Sequence, residues 1–367
     1  MKKPTAVKKP TAVKKPTAVK RRVAGQFPKL AVPLTTQTME AKSMAAIPQE
    51  PGWQFEPKWD GFRSLVFRVR DHVEIRSRSG TSLNRYFPEV VEMIQSLPVE
   101  QFVLDGELII ADGDNSSFDT LQQRLHPAAS RVTRLAEETP ATFEAFDCLM
   151  DAEGLSLLAK PLIERRTALE SLVAKFGRVK RLRLSAYTRS ARTAELWLQK
   201  SGGALDGVVG KRLDDVYRSG ERAMIKIKKL RTADCVVGGF RYRTGSRDVG
   251  SLLLGLYNSQ GKLDHVGFTS SIPRAEGAAM ARKLKSRIEP PGFTGKAPGA
   301  PSRWSNGRSS DWEPLKPELV VEVVYTQVTN DRFRHGTTLL RWRPDKKPRQ
   351  CTFEQLKQKA ATSRPRH

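Results

Sequence analysis

Residues 56–63 read Glu56-Pro57-Lys58-Trp59-Asp60-Gly61-Phe62-Arg63, and they constrain the chain more than any other stretch. Asp-Gly supports a tight turn that carries backbone close to a ligand. Lys58 stands just before that turn and Arg63 just after it. An amine attacks phosphorus only once it has lost its proton, and neighbouring cations favour that loss. Arg63 offers a planar fork of donors suited to a phosphate or sugar oxygen. Alone, such an octapeptide more often marks an exposed turn with scattered charge. Its meaning depends on the residues further along the chain.

The chain has 367 residues, enough for two domains with separate cores. Its formal net charge is +25. Lys-Lys-Pro-Thr-Ala-Val occurs three times in succession over residues 2–19, and Lys20-Arg21-Arg22 comes next. These 22 residues carry nine positive charges and no acid, which leaves +16 on the remainder. A basic body favours a polyanionic partner such as nucleic acid over the plain reading of a soluble basic protein. The tail, residues 1–25, is expected to be disordered, because it has no apolar surface to bury and its prolines oppose helix and sheet. It reads as a basic arm that adds salt-dependent affinity for phosphates.

No run of about 18 apolar residues exists, so no membrane partner is expected. Cys148, Cys235 and Cys351 lie far apart without a Cys-x-x-Cys pair. This argues for a reducing compartment and against a disulfide framework or a zinc site.

Residues 26–230 mix strand and helix patterns, and an α+β domain built largely on antiparallel sheets is expected there. Ser64–Arg70, Val73–Ser77, Phe102–Ile110, Leu205–Lys211 and Met224–Lys229 read as strands. Glu89–Ser96 and Leu162–Phe176 read as helices. Over residues 231–367 the pattern changes to short strands: Cys235–Tyr242, Ser251–Tyr257, His265–Thr269, Leu319–Gln327 and Thr338–Arg343. This spacing fits a small β-barrel such as an OB-fold, with residues 289–314 as a loop. No long linker separates the halves, so a short hinge near 230 is expected.

Several charged clusters fall on these strands. Ser77-Arg78-Ser79-Gly80 puts an arginine at a turn, and Asp105-Gly106-Glu107 breaks an apolar run with two acids. Phe146-Asp147 closes another apolar stretch, and Asp206 begins the run Asp206-Gly207-Val208-Val209-Gly210-Lys211. In Ile225-Lys226-Ile227-Lys228 the period of two turns both lysines to one face. Each cluster has a plain reading as a hairpin turn or a solvated face. Together they describe one cleft with a nucleophilic lysine, acids suited to a divalent metal and lysines suited to phosphates.

The order of these clusters, with the late Phe333-Arg334-His335-Gly336 and Arg341-Trp342-Arg343-Pro344-Asp345-Lys346, resembles the nucleotidyltransferase motifs of ATP-dependent DNA ligases, closest to the compact bacterial type. The resemblance runs from about residue 28 to 357. It implies an adenylation domain followed by an OB-fold domain, and a bacterial, cytoplasmic, nucleoid-associated monomer acting on nicked or broken duplex DNA. It implies ATP as AMP donor and Mg²⁺, or Mn²⁺, as metal. Lys58 would carry AMP, and Glu56 would contact adenine. Arg63 and Arg78 would contact the nucleotide or the 5′-phosphate of the nick. Glu107 would bind ribose or metal, Phe146 would stack on adenine, and Asp206 would hold the metal. Lys226 and Lys228 would neutralise the α-phosphate, and Arg334, Arg343 and Lys346 would orient the leaving pyrophosphate. Asp206 stands where the wider superfamily usually has Glu, one methylene longer. An RNA ligase or capping-type guanylyltransferase shares the lysine chemistry but matches the text after Arg231 less closely. A non-catalytic OB-fold binder would explain the charge, yet would leave Lys58, Glu107 and Asp206 without a task.

Overall fold

The Asp60-Gly61 step carries the chain out of one β-sheet and into another. In the computed structural model, which describes residues 27–112, 115–116, 118–201, 205–299 and 311–356, Trp53–Trp59 closes the first sheet and Phe62–Val69 enters the second. The basic tail and the middle of the 289–314 loop lie outside the described residues. The first sheet runs Ala41–Ser43, Met224–Ile227, Leu205–Arg212, Trp53–Trp59. The second runs His72–Ser77, Phe62–Val69, Gln101–Ile109, Thr142–Met150, Leu182–Leu184. Pairing is antiparallel except at Ala41–Ser43 and Leu182–Leu184, which pair in parallel.

Alternation along Phe62–Val69 explains why the second sheet is buried on both faces. Val66 turns to one side, with Ile75, Phe102, Leu104 and Phe143, and the helices Pro88–Gln95 and Leu162–Phe176 cover that side with Val90, Ile94, Leu169 and Leu172. Leu65 and Phe67 turn to the other, against Met39, Val103, Leu149 and Met224. Both are essentially fully buried, so truncating either to Ala is expected to cost ~2–5 kcal/mol. The helix Ala191–Lys200 backs the first sheet through Ala194, which packs with Phe55, Val208, Ile225 and Ile227. Ser190 caps it by accepting from the Thr193 amide at 3.3 Å.

Beyond Lys228-Lys229-Leu230 the long strand Arg231–Tyr242 organises a further sheet, ordered Leu263–Thr269, Val249–Tyr257, Arg231–Tyr242, Val320–Tyr325, Thr338–Trp342. Its apolar positions form a separate core that includes Val236, Phe240, Leu254, Val321 and Phe333, with Met280 and Leu284 from the helix Gly277–Lys285. A bridge between Thr269 and Thr337 joins the two ends of that strand order. Cys148, Cys235 and Cys351 are free and buried. Among the described residues no helix is long and apolar enough to cross a membrane.

Candidate active site

Two backbone features build the site. The first is Gly61, which approaches its neighbour so closely that a Cβ there would sit 2.1 Å from the Leu108 carbonyl oxygen. That approach lets the Gly61 amide donate to Glu107 Oε1 at 3.0 Å. The second is a bulge in Leu205–Arg212, where Leu205 faces Trp59 and Gly207 faces Lys58, leaving Asp206 as the extra residue. Gly207 has φ 140°, and a Cβ there would strike the Ile227 carbonyl oxygen. The bulge brings Asp206 to Lys58.

Glu56, Lys58, Arg63, Arg78, Glu107, Phe146, Asp206, Lys226, Lys228 and Arg334 all line one cleft of about 890 Å³. Asp206 Oδ2 accepts from Lys58 Nζ at 2.8 Å and from Lys228 Nζ at 2.6 Å. Its Oδ1 is buried without a hydrogen-bond partner. Burial would raise the Asp206 carboxyl, but Lys58 and Lys228 together hold it below its ordinary value. Glu107 behaves in the opposite way. Burial pushes it up to about 7, against the pull of Lys58, Arg63 and the Gly61 amide. Lys226 is lowered by burial and then by the charges of Lys228 and Lys58.

Arg63 is anchored from below. It donates to Asp105 through Nε at 3.1 Å and Nη2 at 2.7 Å, and the Tyr217 hydroxyl donates to the same carboxylate at 2.6 Å. Burial alone would lower its pKa, but Asp105 raises it. Its guanidinium lies 5.1 Å from the Phe146 ring centroid. Glu56 meets Lys211 Nζ at 2.8 Å and accepts from Gln54 Nε2 at 2.8 Å.

Lys211 and His335 also line the cleft, although the motif reading singled out neither as a site residue. Lys211 Nζ stands 4.7 Å from the Phe146 ring centroid and 4.0 Å from Asp147, which Arg165 clamps through two hydrogen bonds. His335 is lowered by burial, then by Lys228 and Arg334.

The second sheet system reaches into the cleft through Arg334. Its guanidinium bonds Asp60 and Gln327 and lies 3.7 Å from the Phe118 ring centroid. Asn330 adds a 2.6 Å bond to Asp119. Arg343 and Lys346 are not brought to the cleft. Arg343 pairs with Asp234 and Asp345, each at 2.8 Å, and Lys346 stands 3.4 Å from Asp234.

The cleft gathers one lysine, Asp206, Glu107 and further cations, and its volume of about 890 Å³ is large enough for a nucleotide. The chain belongs to the ATP-dependent DNA ligases: the family model for the ATP dependent DNA ligase domain matches residues 28–228, and that for the ATP dependent DNA ligase C terminal region matches residues 245–346. It is an enzyme of that family. DNA ligase C1 of Mycolicibacterium smegmatis is 42% identical over 334 residues, covering 87% of this chain and 93% of the relative. DNA ligase C of Mycobacterium tuberculosis is 42% identical over 341 residues, covering 89% and 94%. A solved Lig E DNA ligase superposes with TM-score 0.54 at 18% identity over 84% of this chain and 99% of its own, a likeness of fold alone. Of the readings weighed from the sequence, these matches carry the DNA ligase.

Proposed function

We propose that Lys58 is the nucleophile of a three-step strand-joining reaction on nicked DNA. The observation that carries this reading is the shared Asp206 oxygen, which gathers Lys58 and Lys228 beside Glu107 in one cleft. Lys58 Nζ attacks the α-phosphate of ATP. A nitrogen–phosphorus bond forms, the bond to the bridging oxygen breaks, and pyrophosphate leaves. The amine must first release its proton, and Asp206 Oδ2 stands 2.8 Å from it. Lys226 and Lys228 then face the charge that spreads over the phosphoryl oxygens. The 5′-phosphate of a nick next takes AMP from Lys58. Attack by the 3′-hydroxyl on that phosphate expels AMP and joins the strand.

Glu56, tied to Lys211, and Phe146, at the cleft wall, are suited to the adenine. Arg63 and Arg78 are suited to nucleotide or nick phosphate. A divalent metal fits the acids present. Asp206 keeps an unpartnered buried oxygen, and Glu107 is a half-buried carboxyl that desolvation pushes up to about 7. Among the described residues no group of three ligating side chains occurs. This suits magnesium or manganese held by one or two carboxylates with phosphate and water. Such an ion would supply positive charge at the phosphoryl oxygens.

The domain reading is 26–230 for adenylation and 231–367 for an OB-type barrel, with Lys228-Lys229-Leu230 as hinge. The Thr269–Thr337 bridge between end strands supports closure of the barrel. With Arg334 in the cleft and Arg343 and Lys346 outside it, this arrangement suits strand joining. Arg343 and Lys346 would serve pyrophosphate release after the barrel swings about the hinge.

The test is the intact mass of the purified protein after incubation with ATP and magnesium, beside Lys58→Ala. The wild type gains one AMP and the variant none, while the variant still seals a nick that already bears AMP. An AMP adduct on Lys58→Ala would remove Lys58 from the role.

A further inference from the structure

We infer that Gln54 is a positioning residue for Glu56 and thereby makes adduct formation selective for a purine with an amino group at position 6. This rests on the proposed reading that Lys58 takes AMP and that Glu56 faces the adenine.

A period of two along Trp53–Trp59 puts Gln54, Glu56 and Lys58 on one face of the strand. Trp53 and Phe55 take the other face, against Ala194, Val208 and Ile225. Glu56 and Lys58 line the cleft, whereas Gln54 is fully buried one step behind them. The register sets Gln54 directly opposite Lys211 and Glu56 opposite Val209, so Gln54 and Lys211 are cross-strand neighbours on that face. Each meets one oxygen of Glu56. Gln54 Nε2 donates to Oε1 at 2.8 Å, and Lys211 Nζ lies 2.8 Å from Oε2. All three side chains are buried.

A carboxylate can only accept, so the amide nitrogen of Gln54 is the atom turned to Glu56 and its oxygen turns away. That oxygen, Oε1, is buried with no hydrogen-bond partner. A buried acceptor left unpaired destabilises a fold, and an apolar side chain of similar length, such as Met, would avoid the penalty. Packing alone therefore does not account for an amide at this position, while the bond to Glu56 does. With one oxygen held by Gln54 and the other by Lys211, the carboxylate cannot turn, and its remaining lone pairs keep a fixed direction. The 6-amino group of adenine donates to such an acceptor, whereas a 6-oxo group meets it oxygen to oxygen. Released from Gln54, the carboxylate would rotate off that oxygen and accept from the N1–H that a 6-oxo purine carries. Selection between the two bases would then weaken.

The test is the rate of nucleotide adduct formation on Lys58, followed by intact mass with ATP and with ITP, whose base has the 6-oxo group. Wild type, Gln54→Met, Gln54→Asn, Glu56→Gln and the double variant Gln54→Met with Glu56→Gln are compared, and urea unfolding establishes that each folds. Asn keeps an amide but draws it back from Glu56 by one methylene, so either variant at 54 that folds suffices. The wild type is expected to favour ATP, and a change at 54 to reduce the ATP-to-ITP rate ratio by about tenfold, the worth of one hydrogen bond to a charged group. In the Glu56→Gln background the change at 54 leaves the ratio where Glu56→Gln alone puts it, because Gln54 acts through Glu56. An unchanged ratio, with both rates falling alike, would reduce Gln54 to a structural role and overturn the inference. A further loss of the same size in the Glu56→Gln background would overturn positioning through Glu56. Equal wild-type rates with ATP and ITP would overturn base selection at this site. No adduct on the wild type with either nucleotide would instead count against the Lys58 reading itself.

Discussion

Lys211→Met tests whether the adenine-side wall of the cleft is a coupled ion network. Lys211 and Glu56 meet at 2.8 Å, and each side chain is 3% exposed. At an effective dielectric constant of ~20, that separation corresponds to a gross attraction of ~6 kcal/mol, much of it offset by desolvation of both ions. Removing the lysine leaves the desolvation of Glu56 uncompensated, with the Gln54 amide still donating to it. Asp147 also loses Lys211 but keeps its two bonds from Arg165. Loss of one partner of a buried pair costs ~3–5 kcal/mol, and this is the expected loss in urea unfolding. Adding Glu56→Gln removes the stranded charge, so the double variant should be more stable than the sum of the singles by roughly 1–3 kcal/mol. The formation of the lysine–AMP adduct, followed by intact mass, should fall in both singles because Glu56 and Lys211 line the same cleft as Lys58. Additivity of the two stability losses within ~0.5 kcal/mol would refute the coupling.

Glu144 is buried, and burial lifts its carboxyl from 4.5 to about 7 against the pull of Arg183. The folded state therefore holds the proton more tightly than the unfolded state, and this stability is fully present below pH 4.5 and lost as pH rises through about 7. Glu144→Gln should raise the melting temperature more at pH 8 than at pH 5, with a ceiling of about 3 kcal/mol from the difference in pKa; equal shifts at both pH values would refute it. Arg334→Ala removes the contacts to Asp60, Gln327 and the Phe118 ring, roughly 1–3 kcal/mol of docking, and should enlarge the radius of gyration in solution scattering. An unchanged radius would mean that other contacts hold the second sheet system in place. Deleting residues 1–22 removes nine positive charges and should flatten the salt dependence of DNA binding, whereas an unaltered slope would mean that the arm does not touch DNA.

What could be read from the sequence is what short periods encode. Ile225 and Ile227 are buried while Lys226 and Lys228 face the cleft, as a period of two requires. The helix Leu162–Phe176 is marked by its leucine spacing and lies where that spacing puts it. Lys211 escaped for an instructive reason. Asp206 and Lys211 are five residues apart, so strict alternation sends them to opposite faces of the strand. The bulge at Asp206 inserts a residue and brings both to one cleft. Gly207, at positive φ, was the available signal, but an Asp-Gly pair reads first as a hairpin turn. Trp53–Trp59 is hard to read for a related reason: Pro57 and the Asp-Gly turn that follows it weaken the strand pattern leading into the turn. The helix Ala191–Lys200 buries only Ala194 fully, too little apolar periodicity to announce it.

The late motifs mark a different limit. Arg334 and Arg343 belong to one continuous stretch of text, yet one stands in the cleft and the other pairs with Asp234. Thr338–Trp342 lies between them and is fixed by its ladder to Val320–Tyr325, so both arginines move with the same sheet. On the proposed reading that Arg343 serves pyrophosphate release, it would reach Lys58 by rotation of the second sheet system about the connection at Lys228-Lys229-Leu230. That rotation would first break the Arg334 contacts to Asp60 and Phe118. On that reading the cleft would receive one end of the stretch or the other, and the Arg334 contacts that hold this arrangement would have to be released first.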